Sequence, residues 1–117
     1  MVAINFKKQF AEAVECGLKR QTVRHSRRGI EAGTRLQLYY GQRTKSCRKL
    51  RDVFCMEVQP VVLDFNSLTF RVGNESLDPE QKHFFAVADG FKDVHEMRDF
   101  FYREYYDTYF HGWLIKW

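Results

Sequence analysis

The apolar residues Phe6, Phe10, Ala13 and Val14 recur at i, i+4, i+7 and i+8, the spacing of one stripe on a short amphipathic helix. This predicts a helix over Asn5 to Gly17, with Gly17 as the residue that ends it. The period then changes. Lys19 to Arg24 reads as a strand in which Lys19, Gln21 and Val23 face one way and Arg20, Thr22 and Arg24 the other. A polar, arginine-rich loop follows from His25 to Gly33. Thr34 to Tyr40 sets Leu36, Leu38 and Tyr40 against Arg35, Gln37 and Tyr39, the alternation of a half-buried strand, and Gly41 breaks it.

The basic stretch Gln42 to Lys49 reads as a loop leading to Leu50–Leu63. That segment is rich in Val, Phe, Cys, Met and Leu and long for one strand, which predicts a bulge or bend near Pro60. Leu68, Phe70 and Val72 alternate again before the turn signal Gly73-Asn74. Two helix starts follow. Asp78 is an N-cap with Pro79 at the first helical position and Gln81 at N3; Asp93 is a second, with Glu96 completing the capping-box pattern. Val94, Met97, Phe101 and Tyr105 form one stripe, read as core packing. Phe110 to Trp117 alternates Trp113, Ile115 and Trp117 as a closing strand. About five strands and three helices with mostly hairpin-like connections predict an α+β domain: a small, mostly antiparallel barrel or strongly coiled sheet. No internal repeat or low-complexity linker divides the chain.

At 117 residues the chain suits a single domain over 1–117. With 44% hydrophobic and 29% charged residues, disorder is not expected. No apolar run approaches the roughly 18 residues of a membrane span, and Met1 to Phe10 lacks the apolar centre of a signal peptide, so a cytoplasmic protein without a membrane partner is expected. Cys16, Cys47 and Cys55 are odd in number and unevenly spaced, which suits neither a disulfide framework nor a zinc site. His83 and His95 have no partner at ligand spacing, so no metal or other cofactor is expected.

Charge changes the picture. Met1 to Asp52 holds thirteen Lys and Arg against four Asp and Glu, and Val53 to Trp117 six against eleven, so a net +4 conceals halves of +9 and −5. The positive charge gathers in two runs, Lys19, Arg20, Arg24, Arg27 and Arg28, and Arg43, Lys45, Arg48, Lys49 and Arg51. Such an asymmetry is the footprint of a protein that meets a polyanion, here a nucleoside phosphate or RNA. Tyr39, Tyr40 and Phe54, close to the second run in sequence, could offer stacking faces to unpaired bases. The competing structural reading makes the basic runs solvated loops and the aromatics core. A lysine and a hydroxyl as close as Lys19 and Thr22 can also do covalent or general-base chemistry when the fold brings them into a cleft.

The ordered set of a helix, Gly17, Lys19-Arg20-Gln21-Thr22-Val23-Arg24, a basic loop, Gly33-Thr34-Arg35-Leu36-Gln37-Leu38, then Ala86-Val87-Ala88-Asp89-Gly90-Phe91 before a helix, and a final Trp113-Leu114-Ile115-Lys116-Trp117 strand resembles the ASCH domain. This activating-signal-cointegrator homology family is related to the PUA-like β-barrels, and the likeness runs from about Ile4 to Trp117. It implies a barrel with a cleft for RNA or a nucleotide. One branch of the family resembles small amidohydrolases that remove the acetyl group of N4-acetylcytidine with a Lys, a Thr and an acidic residue. By position these fall on Lys19, Thr22 and Asp89, where that branch has a Glu, and Arg24 matches the family's arginine. The shorter carboxylate and the arginine-rich loops are departures from that branch.

Three functions stay open on these grounds. The first is an amidohydrolase using Lys19, Thr22 and Asp89. The second is a noncatalytic monomer that binds a nucleoside, nucleotide or RNA through Arg20, Arg24, Arg27, Arg28, Arg43, Lys45, Arg48, Lys49 and Tyr40. The third is a ribonuclease, for which His25 and His111 are the acid and base candidates.

Overall fold

Val2, Ile4 and Phe6 alternate with Ala3 and Asn5, and the chain opens with a strand rather than the expected helix. The computed structural model covers residues 1–117 and gives this strand, β1, the bounds Val2–Phe6, followed by helix α1 at Lys8–Glu15. Phe6 belongs to both periodicities, which is why one helix reading absorbed it. Ile4 and Phe6 are buried from the strand, while Phe10, Ala11 and Val14 are buried from α1. Gly17 follows the helix with φ of 84°, a left-handed value that suits a residue without a β-carbon.

Strands β2 (Gln21–Arg24), β3 (Arg35–Tyr40), β4 (Arg48–Phe54), β5 (Glu57–Asp64), β6 (Thr69–Val72) and β7 (Glu75–Ser76) precede helices α2 (Pro79–Ala88) and α3 (Val94–Tyr105), and β8 (Tyr109–Lys116) closes the chain. The eight strands form two sheets, in the orders β1-β3-β4 and β2-β8-β5-β6-β7. All pairings are antiparallel except β1 with β3, which places Ile4 beside Leu38. The α+β class stands, but no ladder joins the two sheets, and β1, β4, β2 and β7 remain edges. A closed barrel has none.

The expected single strand over Leu50–Leu63 is two strands in different sheets. Cys55 and Met56 carry the chain across: Cys55 N–H donates to the Thr34 carbonyl at 2.8 Å on one side, and Met56 N–H to the Lys116 carbonyl at 2.8 Å on the other. Pro60 makes no bend. Its carbonyl accepts from Gly73 N–H at 2.8 Å, on the side away from β8, and a residue's nitrogen and carbonyl share a side in a strand. The missing N–H therefore removes no bond from the β5–β8 ladder. Arg48 and Lys49, read as loop residues, begin β4.

The two sheets and the helices share one core, in which Phe6, Leu36, Leu38, Phe70, Met97, Phe110 and Ile115 are almost wholly buried. Asp78 caps α2 with both halves of the capping box, Gln81 N–H donating to Asp78 Oδ1 at 2.8 Å and Asp78 N–H to Gln81 Oε1 at 2.9 Å. Asp93 makes only the first half, accepting from Glu96 N–H at 2.9 Å. Asp78→Ala should therefore cost about 1 kcal/mol, read from the urea midpoint, and a shift within error would mean that this end of α2 is held by other contacts.

Candidate functional site

Two chain segments far apart in sequence build the site. Lys19 follows α1, its backbone N–H donating to the Ala13 carbonyl at 2.9 Å, and β2 begins only at Gln21. The strict alternation expected from Lys19 onward thus fails at its first residue, and Lys19 shares a cavity with Thr22 and Arg24. Asp89 comes from the other segment, as the residue that ends α2. Gly90 N–H and Phe91 N–H turn back onto the Val87 and Ala86 carbonyls at 3.0 Å each, folding the chain inward. Gly90 is required there. Its φ is 101°, and a β-carbon would lie 2.8 Å from Phe10 Cδ1 and 3.2 Å from Lys19 Cδ.

The side chains of Lys19 and Asp89 are 3% and 5% exposed and face each other, with Nζ 3.4 Å from Oδ1. The amine also donates to the Asp89 backbone carbonyl, and Gln21 Nε2 reaches Asp89 Oδ1 at 3.5 Å. Phe10 presents its ring face 4.8 Å from Nζ. Arg24 Nε donates to Thr22 Oγ1 at 3.0 Å, and Arg24 Nη2 to the Asn5 carbonyl at 2.8 Å. No hydrogen bond joins Lys19 to Thr22. The cavity between these groups has a volume of about 300 Å³. Phe6, Phe10, Phe91, Phe100 and Tyr105 supply apolar walls, and Lys7 and Glu104 pair at 3.2 Å among the lining side chains.

Burial decides the electrostatics. Desolvation pulls the Lys19 amine below the ordinary lysine range, with the Asp89 charge and hydrogen bond opposing and Arg24 assisting. Desolvation likewise raises the Asp89 carboxyl, against Lys19 and the Gln21 hydrogen bond. Both shifts favour the uncharged forms, which narrows the gap in proton affinity between the two groups and moves the amine toward use as a base. Arg24 also feels desolvation, but an arginine keeps its proton at any ordinary pH.

The structure brings Lys19, Thr22, Arg24 and Asp89 to one cavity and leaves the other expected binding residues outside it. Arg20 is exposed beside Leu18 and Met56. Arg27 lies 4.6 Å over the Trp113 ring, and Arg28 Nη1 donates to the Ala3 carbonyl at 2.8 Å. Arg43 and Lys45 are exposed between β3 and β4. Arg48 pairs with Glu15 at 2.6 Å and Lys49 with Asp52 at 3.0 Å. Tyr40 is half-buried against the core. The His25 ring packs on Phe110 and Tyr105, with Nδ1 3.3 Å from the His111 carbonyl, and neither histidine lines the cavity.

Sequence reading missed the walls. Phe101 and Tyr105, taken as a core stripe, also line the cavity, as do Phe6 and Phe10 from the first stripe. Gln21 shows a signal that was present: an uncharged polar residue inside a run of buried strand positions, two residues after the lysine. Comparison with family models, with curated proteins and with solved structures gives no match for this chain.

Proposed function

We propose that the cavity takes the acylated base of a nucleoside and hydrolyses its exocyclic amide, as the ASCH resemblance implies for N4-acetylcytidine, and that the two sheets are an open form of the PUA-like architecture. One observation carries the reading: an amine, a hydroxyl and a carboxyl, each at least nine-tenths buried, line a single small cavity. Side chains of this kind are rarely buried together without a role. Aromatic walls fit a flat ring, and a volume near 300 Å³ is at the lower limit for a ligand site.

In this mechanism the neutral Lys19 amine removes the Thr22 proton, directly on substrate binding or through one water. Thr22 Oγ1 forms a bond to the acetyl carbon, and Arg24, already donating to Oγ1, steadies the developing negative charge. The carbon–nitrogen bond breaks as Lys19 returns the proton to the departing nitrogen. A water then gives one proton to Lys19 and its oxygen to the acyl carbon; the Oγ1–acyl bond breaks as Lys19 passes that proton to Oγ1, which restores Thr22 and the neutral amine, and acetic acid leaves and gives up its proton to solvent. Asp89 holds the amine in place throughout. The missing Lys19–Thr22 hydrogen bond favours a second reading, in which the cavity binds the base without cleaving it.

Cytidine release from N4-acetylcytidine, followed by chromatography, tests the proposal. Thr22→Val should lower turnover at least about a hundredfold with the fold intact. Wild-type turnover should rise with pH along a limb below the ordinary lysine range, because the neutral amine is the working form and its proton affinity is lowered. Equal turnover in the two proteins removes the hydrolase; saturable binding without turnover leaves the second reading in force.

A further inference from the structure

We propose a second site beside the cavity: a phosphate-binding groove formed by Arg28, Tyr39, Gln42 and Arg43 along the edge of β1, which holds the backbone of a single-stranded nucleic acid whose base enters the cavity. The proposal rests on the cavity reading only for the identity of the base.

The groove is a hollow of about 540 Å³, and no carboxylate lines it. On the surface Lys7, Arg48, Lys49, Arg98 and Lys116 each hold an acidic partner, while others, Arg20, Arg27 and Lys45 among them, hold none. Arg28 and Arg43 hold none, although the chain carries fifteen Asp and Glu residues. Arg28 gives Nη1 to the Ala3 carbonyl at 2.8 Å, which anchors the side chain and leaves the rest of its planar fork open. A guanidinium anchored in this way suits a phosphate oxygen pair better than a mobile lysine does. Half-buried Tyr39 lines the same hollow and adds an aromatic side chain suited to a base or sugar.

Asn5 connects the two sites. Its carbonyl accepts from Arg24 Nη2 at 2.8 Å, inside the cavity, and its Oδ1 accepts from Gln42 N–H at 2.9 Å, beside the groove. Ala3 of the groove and Asn5 of the cavity are two residues apart on β1, about 7 Å at the rise of a strand. They point to the same side of the sheet. A ligand longer than one nucleotide can therefore occupy both, with the arginines outside the cavity meeting phosphates rather than the base.

The test is the double variant Arg28→Gln/Arg43→Gln, with its folding checked by thermal melting. Binding of a labelled single-stranded RNA octamer is measured by anisotropy across a salt series, beside binding or turnover of N4-acetylcytidine, which has no phosphate. The expected result is at least a tenfold loss of RNA affinity, a salt slope shallower by about 1.4 for two lost phosphate contacts, and unchanged handling of the nucleoside. Unaltered RNA affinity and slope overturn the groove, as does full competition by inorganic phosphate at the concentration at which the octamer binds. A wrong cavity assignment shows itself separately, as a wild-type protein indifferent to the nucleoside while the RNA arm still responds to the double variant.

Discussion

Lys19→Met should destabilise the protein by about 3–5 kcal/mol, because it leaves the Asp89 carboxyl buried opposite an apolar side chain. Adding Asp89→Asn should recover part of that loss, since an amide needs no counter-charge and can still accept from Gln21. The pH dependence separates this from simple loss of packing. In Lys19→Met the carboxyl keeps its desolvation and loses the cation that opposed it, so its folded proton affinity rises further above the unfolded value. The folded state then binds more protons than the unfolded one above the ordinary aspartate range, and stability falls as pH rises through that window. The deficit of the variant should accordingly shrink from pH 7 to pH 5, an effect absent from the double variant. Urea midpoints at both pH values decide it. A cost of less than about 1 kcal/mol, flat with pH, would mean that the buried pair is not what closes this part of the molecule.

Gly112→Ala should be the most damaging single methyl in the chain. A β-carbon there would lie 2.4 Å from the Arg24 carbonyl oxygen and 2.7 Å from Phe110 Cε1. The first of these is backbone and cannot turn aside. Alanine in an open strand is ordinarily better than glycine by a few tenths of a kcal/mol or more, but here the steric term is larger and opposite. β2 must move away from β8 to admit the methyl, at a cost of about 3 kcal/mol, the upper part of the range for overpacking. Because β2 carries Thr22 and Arg24, hydrolysis or ligand binding should fall along with the denaturation midpoint. A variant as stable as the wild type would show that the β2–β8 pair tolerates a wider spacing than its present geometry suggests.

The elements that local chemistry specifies were legible in the sequence. Asp78 with Pro79 and Gln81 marks one helix start unmistakably, and the alternation of Leu36 and Leu38 fits only a strand with one buried face. The parts that were not legible depend on distant partners. Nothing local tells that Phe6 ends a strand rather than starting a helix turn, because its neighbour across the ladder is Tyr40, thirty-four positions later. The crossing at Cys55 and Met56 carries no glycine, proline or asparagine; only the hydrogen bonds to Thr34 and Lys116 reveal it. The same division holds for the site. Lys19, Thr22 and Arg24 could be singled out as a group, and Asp89 through the resemblance, yet their enclosure depends on side chains of β1, α1, α3 and the turn after α2 that line the same cavity. Within the basic runs the pairing was hidden for a related reason, since a sequence does not show which cations find carboxylates, as Arg48 and Lys49 do.

β8, the eighth strand in chain order, lies between β2 and β5 and so takes an inner place in the five-stranded sheet. Until it arrives, β2 has no neighbour, and Thr22 and Arg24 have nothing to hold them in register with the Asp89 turn. A nascent chain displays its arginine-rich loops well before it owns a cavity. Assembly of the cavity therefore waits on β8, the strand that ties β2 to the rest of its sheet.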